Sequence, residues 1–580
     1  GHVQFSIYVW MAFGLWMAVA IGSDLWRARG SGSRAALAII RRGAGVAAAP
    51  FVMAAGLASV QILGVAEFSQ HIFRRTENYA TVLGTALPYR HLPTILIPDY
   101  FGNPVDSNYA GPGINYTQLV LYMGLGTLVL ASVGLLVRRD RIAAFFGILG
   151  LIGVLAALGT PFYKVLYVLV PGLSRTTHIA RFIFFIHFAL AGLAVLGLDA
   201  LLRRRDKVRV AYWAVPAALA AVGIVGLGVT RVGTVLPGEY LDPRWVRGLL
   251  FALGFAALMV AVWRLPHRSE LLSVCLVAVI AADLWAFGFR YHPFQAPRDL
   301  YRVTPEIAEL KSLEGPRPRF AQIGASTLPF NAAQVHGIHG LNGYDPFLPD
   351  TFVEVLTLAE DQRRHNQNNL VLPFRPETAL SPIFDLFGVE AFLHPKEGPE
   401  VIRGAFNGPF TVERNPDALP AAFLTRCWEV VPAGRVLERL GGMSTSELGS
   451  IAVLEAGPGV PAPPEGDACP PALAAAVPHY SAEEVRIQTP QAGASLLVLT
   501  DQWFNGWEAT VDGKPARIYK ADHAFRAVAL SEGSHEVVFR FRPRWVPTGL
   551  AISALTALLT AAAVLVMSLR KRRRALPRPE

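Results

Sequence analysis

The chain alternates between long apolar runs and short polar connections, and that rhythm sets the first expectation. Nine stretches of about 17 to 24 residues are almost free of charge, approximately 5–22, 43–65, 118–136, 142–159, 182–202, 210–228, 248–263, 271–288 and 546–569. Each is of the length needed to cross a hydrocarbon layer of roughly 30 Å, with 248–263 the shortest. Two longer polar connections, 66–117 and 160–181, interrupt the runs. The first half of the second, "TPFYKVLYVLVPG", suits an interfacial or re-entrant helix ending at Pro171-Gly172.

The pattern changes after the eighth run. From 289 to 455 helical patterns ("TPEIAELKSL", "PDTFVEVLTLAED") mix with short apolar runs such as "GVEAFLH", which predicts an α+β domain. A Pro- and Gly-dense stretch, 456–475, reads as a linker. Beyond it the period becomes two: "EVRIQT", "ASLLVLTD", "WEATV", "PARIYK", "FRAVAL" and "HEVVFRFR" predict six strands of a β-sandwich over 476–545. Asp512-Gly513 should join two of them in a type I′ turn. The expected fold is thus a polytopic α-helical membrane protein of nine spans. Its domains are a transmembrane part over 1–288, the α+β domain, the linker, the sandwich, a last span at 546–569 and a basic tail at 570–580.

Composition agrees with that class. Of 580 residues 52% are hydrophobic and only 17% charged; the mean hydropathy is +0.37, too apolar for an ordinary soluble protein. The net charge of +10 is concentrated in alternate connections: Arg27 to Arg42, Arg138 to Arg141, Arg203 to Arg209, Arg264 to Arg268 and Arg570 to Arg574. Basic short loops stay in the cytoplasm, so the first residue and 289–545 are expected outside and Glu580 inside. This topological signal accounts for the basic balance better than nucleic-acid binding does. Cys275 falls within a span, whereas Cys427 and Cys469 lie on the expected outer side, where they either bridge or remain two thiols. No C-x-x-C, nucleotide-binding glycine loop or G-x-S-x-G is present.

Seven ordered motifs carry a family likeness: "LASVQILGVAEF"; "LPTILIPDYFGNP" followed by "INYTQLVLYMGLGTLVLA"; "LGTPFYKVLYVLVPGLSRTTHIARFIFFIHFALAGLAVLGLDALL"; "AADLWAFGFRYHP"; "GLNGYDPF"; "SPIFDLFGVEAFLHP"; and the long run from Phe504 to Pro543. Together they resemble the bacterial membrane protein YfhO family over nearly the whole chain. That family is similar to the GT-C class of glycosyltransferases. The resemblance implies a bacterial inner-membrane enzyme that transfers a sugar from a polyprenyl-phosphate donor to an extracytoplasmic glycan or lipid. "GHVQ" at the start resembles a family element that lies several spans downstream, so the chain is expected to be the C-terminal part of a longer protein.

Such transfer needs a base for the acceptor hydroxyl and cations for the leaving phosphate. Asp99 and Asp106 are the external carboxylates near the membrane and the candidate acids for acceptor or metal binding. A divalent metal ion is the one cofactor they bring into question. Asp99 also suits a turn in "PDYFG". Arg74, Arg75, Arg175 and Arg181 are placed for donor phosphate, with membrane-edge caps as the alternative; "SRTTHIAR" lacks the Pro of the family's commoner "FRxPxR" form. Asp283, inside the eighth span, should face a partner or polar cavity, or serve as a hydrogen-bonded structural group. Tyr344 and Trp503 are candidate glycan contacts, and Trp507, on a predicted strand, is read as a core residue. Two other classes compete with the enzyme: a transporter or flippase of lipid-linked sugars, and a non-catalytic membrane-anchored glycan-binding protein.

Overall fold

The structure, a computed structural model, describes all residues except 1–2, 73–77, 107, 112–114, 177, 210–211, 215–216, 219–222, 224–242, 292–293, 295, 297–300, 314–316, 325–327, 329–330, 346–347, 361–369, 372, 397–409, 464–468 and 576–580. It divides into two compact units, one of residues 1–50 and 76–294, the other of 51–75 and 295–580.

The first unit is helical. Among the described residues of the chain, five helices are long and apolar enough to cross a membrane: Gln4–Arg27, Gly32–Leu57, Ile179–Arg203, Ser269–Tyr291 and Trp545–Arg570. Shorter apolar helices cover Ser59–Phe68, Leu125–Val137 and Leu250–Arg264, and Arg141–Ala157 is followed, after a 102° bend, by Pro161–Leu169. Pro161 opens that second helix, where its fixed φ and missing N–H cost nothing. The run 210–228 falls largely outside the described residues.

Leu125–Val137 and Ile183–Arg203 cross closely through Gly134 and Gly197. A Cβ on Gly134 would sit 2.1 Å from the carbonyl oxygen of Leu193, and one on Gly197 1.9 Å from that of Leu130. Backbone-to-backbone approach of this kind is how apolar helices gain contact where the hydrophobic effect between them is weak.

The second unit is built mainly on β-structure. A four-stranded sheet places Arg319–Gln322 parallel to His339–Gly340 and to Val389–Pro395, with Phe410–Arg414 antiparallel at its edge. Thr304 caps the preceding helix, Pro305–Lys311, by accepting from the Ile307 N–H. A seven-stranded and a five-stranded sheet follow. Their facing side chains, among them Leu424, Val485, Ile487, Leu497, Val528, Val537 and Phe539, form one core. The other face of the larger sheet packs on helices through Val498, Phe525 and Ala527 against Val355, Phe384 and Leu440. Being covered on both sides, the strand Ser495–Gln502 is buried along almost its whole length, which is why it reads as a continuous apolar run.

The six predicted strands are present, "PARIYK" being split into Lys514–Ala516 and Tyr519–Ala521. Asp512 and Gly513 have φ of 52° and 76° between Val511 and Lys514, as a type I′ turn requires. Strands from before the 456–475 stretch, Ala422–Thr425, Cys427–Val431 and Ile451–Glu455, join the larger sheet. Cys427 and Cys469 are bridged, closing a separation of 42 residues. On loop length alone such a closure stabilises by about 4 kcal/mol.

One buried acid gives this unit a pH signature. Asp522, 1% exposed, accepts from the Val453 N–H at 2.8 Å, and burial raises its carboxyl to about 7. The folded value lies above the unfolded one of about 3.9, so the folded state keeps a proton that the unfolded chain has released. Stability is therefore lost as pH rises from about 4 to 7. Asp522→Asn keeps the acceptor for Val453. It is expected to stabilise the protein at about pH 8 by on the order of 4 kcal/mol and to do little at about pH 4. Melting curves at the two pH values check this; no pH dependence in the difference would contradict it.

Candidate functional site

Asp99 and Asp106 meet in the first unit. The chain enters this region through Pro98 and turns at Asp99, whose φ of 58° is left-handed. Aspartate tolerates that region because its short side chain bonds locally. Asn103, 3% exposed, links the two acids. Its Nδ2 donates to Asp99 Oδ2 at 3.2 Å and to Asp106 Oδ2 at 2.9 Å, and its Oδ1 accepts from the Asp106 N–H at 2.9 Å.

On the other side of Asp99 stand two tyrosines. Tyr116 and Tyr291 both donate to Asp99 Oδ1, the latter at 2.5 Å. Their hydroxyls are 2.7 Å apart and their rings stack at 5.7 Å. Burial, and then the bond to Asp99, push the Tyr116 phenol up from its ordinary value, so it stays a neutral donor. Arg290, next to Tyr291 beyond the helix Ser269–Gly288, donates from Nη2 to Asp106 Oδ1 at 2.5 Å. Its side chain is 62% exposed, that of Asp106 18%. Asp106 and Arg290 are thus the side of the cluster that faces outward, and Asp99 is the side held by the fold.

The inner wall is aromatic. His91 stacks on Phe101 at 4.5 Å. Burial, helped by Arg90, lowers its imidazole to about 4, so it is neutral at physiological pH. The cavity between these groups holds about 10 Å³, roughly one water. The more exposed part of the cluster is its Asp106–Arg290 side.

As they stand, the two acids do not fit a divalent ion. Their oxygens accept from the tyrosines, Asn103 and Arg290, and no group of three or more His, Cys, Asp or Glu among the described residues could ligate one. What the cluster can do is hold one carboxylate by neutral donors while a second, paired with a solvent-reaching guanidinium, works on a polyol or phosphate.

The other sequence candidates lie elsewhere. Arg181 donates from Nη1 to Gln4 Oε1 at 2.8 Å; Gln4 in turn donates to Tyr8 and to the His178 carbonyl. Arg181 thereby ties the 160–181 connection to the first helix. The two connections do touch, through the Ile179 N–H on Thr85 Oγ1 at 3.1 Å and the Ala180 N–H on the Thr85 carbonyl. Arg74 and Arg75 lie outside the described residues; Arg175 ends the short turn Leu173–Arg175, its side chain outside the described part. Asp283 is buried in its helix and accepts from the Tyr122 hydroxyl at 2.8 Å through both oxygens.

In the second unit Tyr344 is half-exposed, its backbone bonded to Asn331 on both sides. Trp503 is partly buried, with Lys520 Nζ over its ring at 5.9 Å.

Asn103, Tyr116, Arg290 and Tyr291 were not singled out by sequence reasoning, although all four lie in motifs quoted above, "DYFGNP", "INYTQ" and "FRYHP". Tyr116 and Tyr291 are 175 positions apart, and no local pattern joins them.

The class that fold and composition define is a helical membrane protein carrying a β-rich domain. Residues 474–553 match the family model described as Bacterial membrane protein YfhO, and over that segment the chain is similar to the family. The matched segment runs from the strand Ala476–Tyr480 into the start of the helix Trp545–Ala575. No curated protein and no solved structure matches the chain.

Proposed function

We propose that the protein takes part in GT-C-like transfer of a sugar from a polyprenyl-phosphate donor to a glycan or lipid on the outer face of the bacterial inner membrane. The observation that carries this reading is the convergence of Asp99, Asn103, Asp106, Tyr116, Arg290 and Tyr291. Sequence motifs through which the chain resembles the YfhO family supply five of these residues, and Asp106 follows two residues after the end of one of them, "LPTILIPDYFGNP". In this reading Asp106 takes the proton of the acceptor hydroxyl, and Arg290 attracts the donor phosphate. Asp99, clamped by the two tyrosines, positions Asp106 through Asn103. Arg181 has a lesser part, as a cation near the same connection, and Tyr344 and Trp503 are proposed glycan contacts. A purely glycan-binding role would leave the proton-accepting arrangement without a task.

The proposed topology has nine spans, with 289–545 outside and the tail after 570 in the cytoplasm. The alternation of basic connections supports it, as does the Cys427–Cys469 bridge, since such bonds persist in oxidising compartments. Ser531, exposed in the turn before Glu536–Phe541, offers the test. Ser531→Cys should react in intact cells with a membrane-impermeant maleimide, and a cysteine introduced in the tail only after lysis. The reverse pattern would overturn the topology.

A further inference from the structure

A cavity of about 420 Å³ opens in the second unit, within the size range of small-molecule sites. It is separate from the acid cluster and is built from different elements. Phe68, at the end of the helix Ser59–Phe68, and Phe541, four residues before the helix Trp545–Ala575, both line it. It therefore lies where the β domain meets its own apolar helices.

The polar part of its wall is unbalanced. Arg317, Arg319 and Arg526 surround one carboxylate, Asp501: Arg526 Nη2 donates to it at 2.8 Å, Arg319 Nη2 at 3.3 Å, and Arg317 through Nη1. Tyr480 adds its hydroxyl at 2.7 Å. His339, also on the wall, is lowered to about 4 by burial and by Arg317 and Arg319, so it is neutral and adds no further positive charge. Burial lowers both Arg319 and Arg526 to about 10 although Asp501 raises them, with Glu390 a smaller influence on Arg319; both stay charged at neutral pH, and among the described residues Asp501 is the one acid on the cavity wall to meet the three cations.

Some of these groups also lack partners. Arg526 is 2% exposed, yet its Nε and Nη1 have no hydrogen-bond partner among the described residues; the same is true of Arg317 Nε and of the acceptor Gln502 Oε1. Buried donors and acceptors are rarely left unmet in a finished fold. The Arg526 guanidinium lies 3.7 Å from the centroid of Trp507, and Phe387, Phe504 and Phe541 complete an aromatic wall.

We infer that this cavity is a binding site for a saccharide bearing an oxyanion, a phosphate or a carboxylate. The unmet guanidinium donors take the oxyanion, Gln502 Oε1 takes a ring hydroxyl, and the aromatic wall takes the apolar face of the ring. A bare anion would leave Gln502 and the wall unused, and a neutral sugar would leave the guanidinium donors unmet.

Titration calorimetry on the intact, detergent-solubilised chain tests this with glucose 1-phosphate, glucuronate, glucose and inorganic phosphate as probes. The inference expects both charged sugars to bind and glucose and phosphate each to bind at least about tenfold more weakly. Nanodiscs of phosphatidylglycerol that compete with the sugar phosphate would mark a lipid-borne headgroup as the source; absence of competition would mark a free or polymer-borne saccharide. Arg526→Lys retains the charge and is the variant least disruptive to the fold; it should weaken the charged sugars by about 10- to 100-fold through loss of the fork. Arg317→Gln, at a less buried position, should weaken them too while its melting curve stays cooperative. Equal binding of glucose, phosphate as tight as glucose 1-phosphate, or no effect of either variant would overturn the inference. None of these outcomes depends on whether the acid cluster catalyses transfer.

Discussion

Asp106→Ala in the membrane-embedded protein is expected to lower the rate of sugar transfer by about a hundredfold to ten-thousandfold, the usual contribution of a positioned general base. The substitution removes the carboxylate that faces outward and leaves Arg290 without its ion pair. The loss should fall mainly on kcat, because the base acts in the transition state. Asp99→Asn should cost less, since Asn103 can still orient Asp106 by its own bond to the Asp106 N–H. Tyr291→Phe should resemble it, removing one donor from Asp99 and leaving Tyr116 in place. Arg290→Gln should instead raise the KM for the donor, and Arg290→Lys should recover part of it. Initial rates at varied donor and acceptor concentrations separate these cases. Transfer by Asp106→Ala at the wild-type rate would remove Asp106 from the mechanism.

The second large effect is on stability. Asp501 is nearly buried among Arg317, Arg319 and Arg526. Replacing it by Asn leaves three cations with no counter-charge, which for a buried pair broken on one side costs about 3 to 5 kcal/mol. Burial alone would raise its carboxyl, but Arg317, Arg526 and Arg319 together hold it below the usual value. A depressed folded value means that the stabilisation is complete above the unfolded value of about 3.9 and is lost as pH falls through the folded one. The difference between wild type and Asp501→Asn should therefore be constant from about pH 6 to 8 and shrink only in acid. Chemical unfolding of the solubilised chain measures it. Equal stability of the two proteins at neutral pH would show that the arginines are hydrated and the network is not a buried one.

Asp501 and Arg526 also show where sequence reading reaches its limit. In "FRAVAL" the period of two sets Arg526 on one face with Val528 and Leu530, so a charge on an apolar face was visible. What it meets there was not, because Asp501 and Arg319 come from strands elsewhere in the chain. Trp507 was read as core on its strand position; it is half-buried and lines the cavity beneath the Arg526 guanidinium.

Strand periodicity was legible where one face is core and the other is not, as in Glu484–Gln488. It could not assign Cys427–Val431 and Ile451–Glu455 to the same sheet as Ser495–Gln502, because parallel pairing requires a crossover rather than a hairpin. In the acid cluster, Asp99 and Asp106 stood out as the two aspartates of their loop, whose other carboxylates, Glu67 and Glu77, lie nearer its start. Their partners Tyr116 and Tyr291 are ordinary aromatic residues in apolar sequence, and only the fold brings them to Asp99.

Outward-facing, lipid-donor-dependent transfer has one direct measurement. Right-side-out membrane vesicles from cells producing the protein are given a radiolabelled polyprenyl-phosphate sugar, with vesicles carrying Asp106→Ala in parallel. Label is expected in extracytoplasmic glycan or lipid for the wild type, with no label from a nucleotide sugar and near-background label for the variant. Equal labelling by the two proteins, or labelling from the nucleotide sugar alone, would contradict it.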